Sequence, residues 1–496
     1  MAHHLARESV ILSGLVIVGR LLNFVLPLLI ARWFGAGEAT DAWFMVVGIP
    51  LFCMSLLQTA VLSTFNPILA RVRARAPERL PDVLGSACAF SALVLGMVAG
   101  MLYPLGPPLI ERLFQGRPET AALAIQLFRP LLILIPFGGL SFLLRSVLEI
   151  SGVLRIAVVI PLTRGAVLIV MAALLRGTLG IHALPPAFVC AEAAQLLVYY
   201  GVTWRMGRAP RLNLELPMEV RRAAILFVPL LVGEAAVNLN PLVDHAFAAR
   251  MSAGVLSTLD YADRLRGALE TLISAGVMTV LFAHWSTLMA HGDGAGLRAG
   301  FRGASRALFV AVCPILAFLF ALRFDIVMVL YGGGAFGPRE GMATAGFFVG
   351  YLPGFVFLLQ GVLAVRYLLV QEAVRPVVLI GFFSFVTNLG FNVLCVRSLG
   401  PPGLAFATSL NQALTMMLLF GVLHRRCGSP WGEGIGSWLI ERCVVFIPMA
   451  GLAHYAALGI EHGALRWGVV FLVCAGCGAM EARRGGVWRG RAEAGL

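Results

Sequence analysis

Lysine is absent from this sequence, and all 38 of its basic residues are arginine. A phosphate loop that depends on a lysine and a catalytic lysine that forms a Schiff base are therefore excluded. Acidic residues are also few, at 25, and charged residues make up only 13% of the 496 positions. No substantial hydrophilic domain is present, since the longest interval between apolar stretches is the basic segment 203–222. An ATP-driven motor within this chain is not expected.

The chain is rich in apolar residues, at 59%, with a mean hydropathy of +0.89. No water-soluble globular protein of this size approaches these values, which predict a polytopic membrane protein. In a soluble chain the net charge of +13 would suggest nucleic acid. Here the arginines lie in short loops and indicate topology, so no nucleic-acid partner is expected. The nine cysteines are scattered, and the pair Cys474 and Cys477 lies inside an apolar stretch, where packing is the expected role.

The apolar stretches predict an all-α protein with about fourteen transmembrane helices, because a helix needs about 20 mostly apolar residues to cross the hydrocarbon core. Their centres lie near residues 22, 55, 96, 135, 165, 192, 232, 273, 315, 353, 385, 413, 447 and 472. Arginines concentrate in alternate loops, as the positive-inside rule requires of cytoplasmic loops. These loops are 71–79, 205–222, 298–306, 425–426 and 483–491. We therefore expect a multi-pass protein of the bacterial cytoplasmic membrane with both termini in the cytoplasm.

A faint internal duplication relates the two halves of the chain. At an offset of 219 residues, Asp41 aligns with Asp260 and Gly48 with Gly267. Each half has an even number of spans, so the two halves share one orientation in the membrane. This repeat predicts two pseudo-symmetric lobes. In transporters, such lobes rock about a binding site near the midplane of the bilayer. The predicted organisation is an N-lobe of six spans (1–204), a basic cytoplasmic linker (205–222), a C-lobe of six spans (223–426), and two further helices with a basic tail (427–496).

Polar side chains share one helix face in three of the predicted spans, the first, the seventh and the eighth. The three groups are Arg20, Asn23, Phe24 and Pro27; Glu234, Asn238, Pro241 and His245; and Asp260, Asp263, Arg264 and Gly267. Burying one arginine at the bilayer centre costs at least about 2.5–3.5 kcal/mol, so such residues are usually paired or face water. Three polar faces could line one cavity.

Each charged residue on these faces has two interpretations. Arg264 is at ion-pair spacing from Asp260, and Arg20 could pair with Glu234 or Asp41, so either arginine could be structural or could contact a ligand. Asp41, Glu234, Asp260 and Asp263 are the candidate gating or ion-coupling residues. The same two interpretations, structural or ligand-binding, apply to three further arginines within spans, and one of the three could face the cavity. These are Arg129, Arg145 and Arg164.

Five segments resemble the MviN/MurJ lipid II flippase family in their order and spacing. They are Ala31-Arg-Trp-Phe-Gly-Ala-Gly-Glu-Ala-Thr-Asp-Ala-Trp-Phe44, Pro67-Ile-Leu-Ala70, Tyr261-Ala-Asp-Arg-Leu265, Gly334-Ala-Phe336 and Gly403-Leu-Ala-Phe-Ala-Thr-Ser-Leu410. The resemblance covers almost the whole chain. It implies the MOP exporter fold, with two last helices that form a groove for a lipid tail.

The resemblance also implies a function, which is to carry the undecaprenyl-diphosphate-linked peptidoglycan precursor, lipid II, from the inner to the outer leaflet. Arg20 and Arg264 match the family's essential arginines, and Asp41 matches the acidic residue that opens the second span. With Asn23, Asn238 and Arg145, these arginines are the candidate substrate-binding residues. The resemblance implies transport without bond chemistry or a bound cofactor, driven by membrane potential or an ion gradient. Membrane lipids and cell-wall synthesis proteins are candidate partners.

The sequence departs from the family at Leu26, and at Met54 and Ser55, where the family usually carries arginines. A flippase for another polyprenyl-linked saccharide, such as a capsule, O-antigen or exopolysaccharide precursor, is therefore the alternative. A multidrug cation antiporter would share the fold, but a positive first span disfavours organic cations. A membrane enzyme such as a glycan polymerase often carries a large periplasmic loop, which this chain lacks.

Overall fold

A computed structural model of the chain describes residues 24–211, 239–427, 448–455 and 463–484, together with 19, 22, 213, 215, 217–221, 225, 457 and 460. Most of the described residues are helical and none lies in an extended strand, which confirms the predicted all-α class. The helices α1 to α15 are, in order, Phe24–Phe34, Glu38–Arg75, Leu80–Leu113, Pro118–Leu131, Leu134–Ile150, Leu154–Leu179, Leu184–Arg205, Asn240–Ala249, Val255–Ala290, Gly294–Ala321, Arg323–Tyr331, Pro338–Val370, Val374–Leu399, Gly403–Cys427 and Gly463–Arg484.

Eight helical stretches among the described residues are long and apolar enough to cross a membrane. Together with the shorter apolar stretches at Phe24–Phe34 and Leu465–Ala479, they confirm a polytopic protein. The predicted eighth span is also helical, as α9. The predicted spans centred near 232 and 447 lie largely outside the described residues.

The predicted fourth span consists of two helices, α4 and α5, which are separated at Leu132 and Ile133. Pro136 has no N–H to donate to the carbonyl group of Leu132, so the regular hydrogen-bond pattern cannot continue through this point. Pro130 lies just before the break and adds a second interruption. The break therefore follows from the two prolines that flank it.

The chain divides into two compact units. Unit 1 comprises residues 1–257 and Gly334–Phe336. Within it α2 packs against α4 and α5, α5 packs against α3 and α7, and α6 packs against α7. One apolar core of this unit is built from the ends of α2, α3 and α5, and includes Leu69, Leu84, Leu143 and Leu148. This core fixes the C-terminal half of α2 against α3 and α5.

Unit 2 comprises residues 258–333 and 337–496. Its core contains an aromatic cluster in which Phe301 lies within 6 Å of the rings of Trp285, Tyr367 and Phe420. A polar ladder joins α13 to α14, where Asn411 accepts from the Thr387 hydroxyl and donates to the Ser384 hydroxyl. Such bonds are a common way to hold two membrane helices together.

Helix α15 packs on α10 and α11 within unit 2. Phe318 of α10 meets Trp467 and Phe471 of α15 edge to face. Arg466 of α15 places one guanidinium nitrogen 3.2 Å from both carboxylate oxygens of Asp325 in α11. The last described helix is therefore part of the unit 2 fold.

The compact units divide the chain at Ser257, whereas the sequence predicted a linker at 205–222. The difference arises because Gly254 and Ser257 bond to Asp41 at the start of α2, so residues 240–257 group with unit 1. The predicted lobes, 1–204 and 223–426, describe a repeat in the sequence and stay a prediction.

Candidate functional site

The signature segment 31–44 forms the end of α1, a tight turn and the start of α2. Gly35 adopts a left-handed backbone conformation, with φ of +69°, which favours glycine. At the start of α2, the Gly37 N–H donates to the Thr40 hydroxyl over 2.9 Å, and this hydroxyl donates to the Gly37 carbonyl oxygen. Trp43 packs edge to face on Phe188. These contacts fix the direction in which Asp41 leaves the helix.

The Asp41 carboxylate is fully buried and accepts four hydrogen bonds. Oδ1 accepts from the backbone N–H and the hydroxyl of Ser257, at 2.9 and 2.6 Å. Oδ2 accepts from the Gly254 N–H at 2.8 Å and from the Arg117 guanidinium at 3.1 Å. Burying a carboxylate is costly unless it is paired and hydrogen-bonded, and here both conditions are met. Asp41 thus ties the start of α9 to the first turn of α2.

Arg117, just before α4, is the part of this cluster that sequence reasoning missed. Its guanidinium also donates to the Ala249 carbonyl oxygen at 2.6 Å and stacks 5.1 Å from the centre of the Phe114 ring. One feature of the predicted topology could have indicated a role for Arg117. An arginine in a loop predicted to lie outside the cytoplasm goes against the charge bias, so it needs a local reason such as this ion pair.

Helix α9 carries two separate ion-pair groups. Arg264 pairs with Asp260 one turn earlier, as the spacing predicted, and about a third of the Arg264 side chain remains exposed. Asp263 bonds instead to Arg266, over 2.7 Å, and Arg266 also reaches Glu270 at 3.3 Å. The predicted stripe of Asp260, Asp263 and Arg264 is therefore two groups, because Arg266 competes for Asp263.

Arg145 of α5 has a partner within its own helix. Its Nε donates to the Glu149 carboxylate at 2.8 Å, and the other oxygen of that carboxylate lies 3.3 Å from the Asn66 amide. A quarter of the Arg145 side chain is exposed. The predicted role of Arg145 in substrate binding stays a prediction, and any anion there must compete with Glu149.

A deeper pair joins α6 to α7. The Arg164 Nε donates to the Glu192 carboxylate at 2.7 Å, and the Glu192 side chain is fully buried. Gln195 approaches the second carboxylate oxygen at 3.5 Å. This geometry favours the structural interpretation of Arg164 over a ligand contact.

Replacing only Glu192 with leucine would leave the Arg164 cation buried without a partner, and we expect it to destabilise the protein by about 3–5 kcal/mol. Replacing both residues with leucine removes both charges and is expected to restore most of the thermal stability. Thermal unfolding of the purified single and double variants measures this difference. A double variant that is as unstable as the single one, or that folds but has lost transport, would contradict a purely structural role for Arg164.

Four of the predicted site residues, Arg20, Asn23, Glu234 and Asn238, lie outside the described residues. Of the others, Asp41 and Arg145 belong to unit 1, whereas Asp260, Asp263 and Arg264 belong to unit 2. The proposed roles of these residues in binding, gating and ion coupling stay predictions.

The family comparison decides the class of this protein. The sequence profile described as "Lipid II flippase MurJ" matches residues 30–477, which is most of the chain. This chain belongs to the MurJ family. The expected resemblance is thus confirmed.

The relatives of this MurJ family member have low sequence identity to it but align along most of their length and of its own. The lipid II flippase MurJ of Burkholderia cenocepacia is 24% identical over 479 residues, covering 93% of this chain and 92% of the relative. The probable lipid II flippase MurJ of Vibrio cholerae is 25% identical, covering 94% and 90%. The family is one of transporters of the bacterial inner membrane, so this member is a transporter and not an enzyme.

Solved structures show the fold. A MurJ in an inward closed conformation superposes with a TM-score of 0.81 at 18% identity, covering 95% of this chain and 97% of that one. A multidrug resistance MATE family transporter of the MOP superfamily, in an inward-facing conformation, gives 0.70 at 14% identity, covering 84% and 96%. The predicted MOP exporter fold is therefore confirmed.

Proposed function

We propose that this MurJ family member translocates lipid II from the inner to the outer leaflet of the cytoplasmic membrane by alternating access. The observation that carries the proposal is the exposed third of the Arg264 side chain, which sits in a membrane helix beside Asp260. A guanidinium group binds a diphosphate through forked hydrogen bonds. Family membership over residues 30–477 supports lipid II as the substrate.

In this mechanism the headgroup contacts Arg20 and Arg264, with Asn23, Asn238 and Arg145 as further polar contacts, while the polyprenyl tail stays in lipid. Negative charge on the diphosphate competes with Asp260 for Arg264. Rebinding of Asp260 after release returns Arg264 to its resting pair. No covalent bond is made or broken.

The energy source in this proposal is the membrane potential or an ion gradient. Moving one elementary charge across the membrane changes the free energy by about 2.3 kcal/mol per 100 mV. Asp41, Glu234, Asp260 and Asp263 are the proposed gating or coupling residues. Asp41 supports a gating role, because its bonds to Gly254 and Ser257 must break if these segments separate. Both termini lie in the cytoplasm in this topology, and cell-wall synthesis proteins are the proposed protein partners.

A second candidate substrate is another polyprenyl-linked saccharide. The observation that favours it is the packing at Leu26 and Met54, two positions where the family usually carries arginine. Both side chains are buried, and Met54 fills the space beside Gly138, where a Cβ atom would lie 2.6 Å from the Met54 methyl carbon. The cations of this chain are therefore distributed differently from those the family implies.

Complementation separates these candidates. A bacterium depleted of its lipid II flippase should be rescued by the wild-type chain, and rescue should be lost in Arg20→Ala and in Arg264→Ala at equal membrane levels. A matched control is Arg71→Ala, an exposed arginine near the end of α2, which should rescue as the wild type does. Failure of well-expressed wild-type protein would favour the other saccharides, and rescue by Arg20→Ala would remove Arg20 from the site.

A further inference from the structure

Two glycine turns of unit 1 approach each other backbone to backbone. A Cβ atom on Gly334 would lie 2.1 Å from the Arg32 carbonyl oxygen, and one on Gly35 would lie 2.6 Å from the Ala335 carbonyl oxygen. The Ala335 N–H donates to the same Arg32 oxygen at 2.9 Å. Each turn thus excludes any side chain at the glycine of the other. We call this reciprocal contact the glycine clasp.

One side of the clasp is the short segment Gly334–Phe336, which we call the excursion. Gly334–Phe336 group with unit 1, whereas the residues on either side belong to unit 2. Phe336 is almost completely buried, although Gly334 and Ala335 beside it are exposed. Burying a phenylalanine side chain contributes about 1.5–3 kcal/mol, so the burial of Phe336 adds to the Ala335 hydrogen bond.

Both ends of the excursion are fixed to unit 2 helices. The Gly332 N–H donates to the Met328 carbonyl oxygen of α11 at 2.9 Å, and the Tyr331 hydroxyl donates to the Tyr261 carbonyl oxygen of α9. At the other end, the Gly337 N–H donates to the Glu340 carboxylate of α12 at 2.9 Å. The turn can leave its seat while these anchors remain, because the clasp uses no atom of the anchors.

We infer that the glycine clasp is a releasable latch, which is seated in the state described here and opens as the transport cycle exposes the other side of the membrane. This inference rests on the proposed function, because it assigns the clasp a place in alternating access. A backbone hydrogen bond between the exposed residues Arg32 and Ala335, with a buried ring beside it, suits a contact that must form and break repeatedly. The close approach of Gly35 and Gly334 makes the seat selective for this turn.

Amide hydrogen exchange of the purified full chain in nanodiscs tests the latch directly. In the wild type, the Ala335 amide should exchange faster than the Gly332 and Gly337 amides, because the clasp opens while both anchors stay closed. Gly334→Ala and Gly35→Ala should each speed exchange at Ala335 by about tenfold or more. A Cβ atom on Gly334 would displace the Arg32 carbonyl group that accepts the bond, and one on Gly35 would displace the carbonyl group of Ala335 itself. The anchor amides should change little.

The chain supplies a matched control for each variant. Gly333 and Gly116 also have positive φ, at +110° and +89°, but a Cβ atom on either would meet nothing within 4 Å. Gly333→Ala and Gly116→Ala carry the backbone cost of alanine in this region without the clash. Their effect on Ala335 exchange should be clearly smaller.

Two outcomes would overturn the inference. Equal effects of Gly333→Ala and Gly334→Ala would mean that local backbone strain, and not the clasp, controls the turn. Equal exchange at Ala335 and at both anchor amides in the wild type would mean that the turn opens only by unfolding with its flanks. The second result needs no variant, so misfolding of a variant leaves the test decisive.

The exchange measurement does not depend on lipid II. If wild-type protein fails to complement a lipid II flippase, the proposed substrate fails, but the exchange pattern still reports whether the latch opens. If wild-type protein complements, Gly334→Ala and Gly35→Ala should impair rescue more than Gly333→Ala and Gly116→Ala do. Normal rescue by the clasp variants would show that transport does not use the latch.

Discussion

Asp41→Ala is expected to abolish transport and to destabilise the protein. The substitution removes the acceptor of four hydrogen bonds and leaves the Arg117 cation without its carboxylate partner. Breaking a buried ion pair by deleting one partner costs about 3–5 kcal/mol, which is a large part of the stability of a typical protein. Thermal unfolding in nanodiscs measures the loss, and complementation at matched membrane levels measures transport.

Two further variants locate the cause of the Asp41→Ala defect. Asp41→Asn keeps an oxygen for Ser257 but removes the charge that Arg117 needs, so its stability should fall between those of alanine and wild type. Asp82→Ala is the surface control, since Asp82 is exposed and lies 3.9 Å from Arg211, and exposed pairs contribute only about 0–1 kcal/mol. If Asp41→Ala were as stable as the wild type, the four hydrogen bonds of Asp41 would contribute nothing measurable to the free energy of unfolding.

Arg264→Ala and Arg266→Ala are expected to separate substrate binding from folding, although the two arginines lie two positions apart in α9. Hydrogen bonds to charged groups contribute about 1.5–3 kcal/mol each. Removing the Arg264 contact to a diphosphate should therefore weaken headgroup binding by roughly 10- to 100-fold. Its thermal stability should fall less than that of Arg266→Ala, because Arg264 is a third exposed and pairs with the single carboxylate of Asp260, whereas Arg266 pairs with two. Binding of labelled lipid II to nanodiscs, together with complementation, measures this loss.

Arg266→Ala is expected to show the opposite pattern. Arg266 bonds to Asp263 and Glu270, and lies 5.5 Å from the centre of the Tyr351 ring of α12. Its loss leaves two carboxylates close together without a cation, so thermal stability should fall while the folded fraction still binds lipid II. Equal binding defects in the two variants, at equal stability, would contradict the assignment of Arg264 to the headgroup.

Much of the fold follows from local features of the sequence. Apolar stretches of about 20 residues predict membrane helices because the bilayer sets their length. The pair Asp260 and Arg264 follows from helical spacing in the same way. The break in the fourth span at Leu132 was only partly foreseeable, because the prolines at 130 and 136 predicted a bend but not two helices.

The contacts that hold distant segments together could not be predicted from the sequence. Arg117 lies 76 positions from Asp41, and no helical period connects them. The glycine clasp depends on backbone atoms of Arg32 and Ala335, whose side chains give no signal. Asp263 was assigned with Asp260 and Arg264, whereas its partner is Arg266. Spacing indicates which residues share a face but does not decide between two nearby arginines.

The packing of helix α15 on α10 and α11 has a consequence for biosynthesis. Arg466 follows Asp325, its partner, by 141 positions, so the ribosome makes α12, α13 and α14 before the pair can form. Until then Phe318 lacks the aromatic rings of α15, and Asp325 lacks its counter-charge. The packing of α10 and α11 is therefore completed only after α15 has left the translocon. Chains that terminate early would present an unfinished surface to membrane quality control.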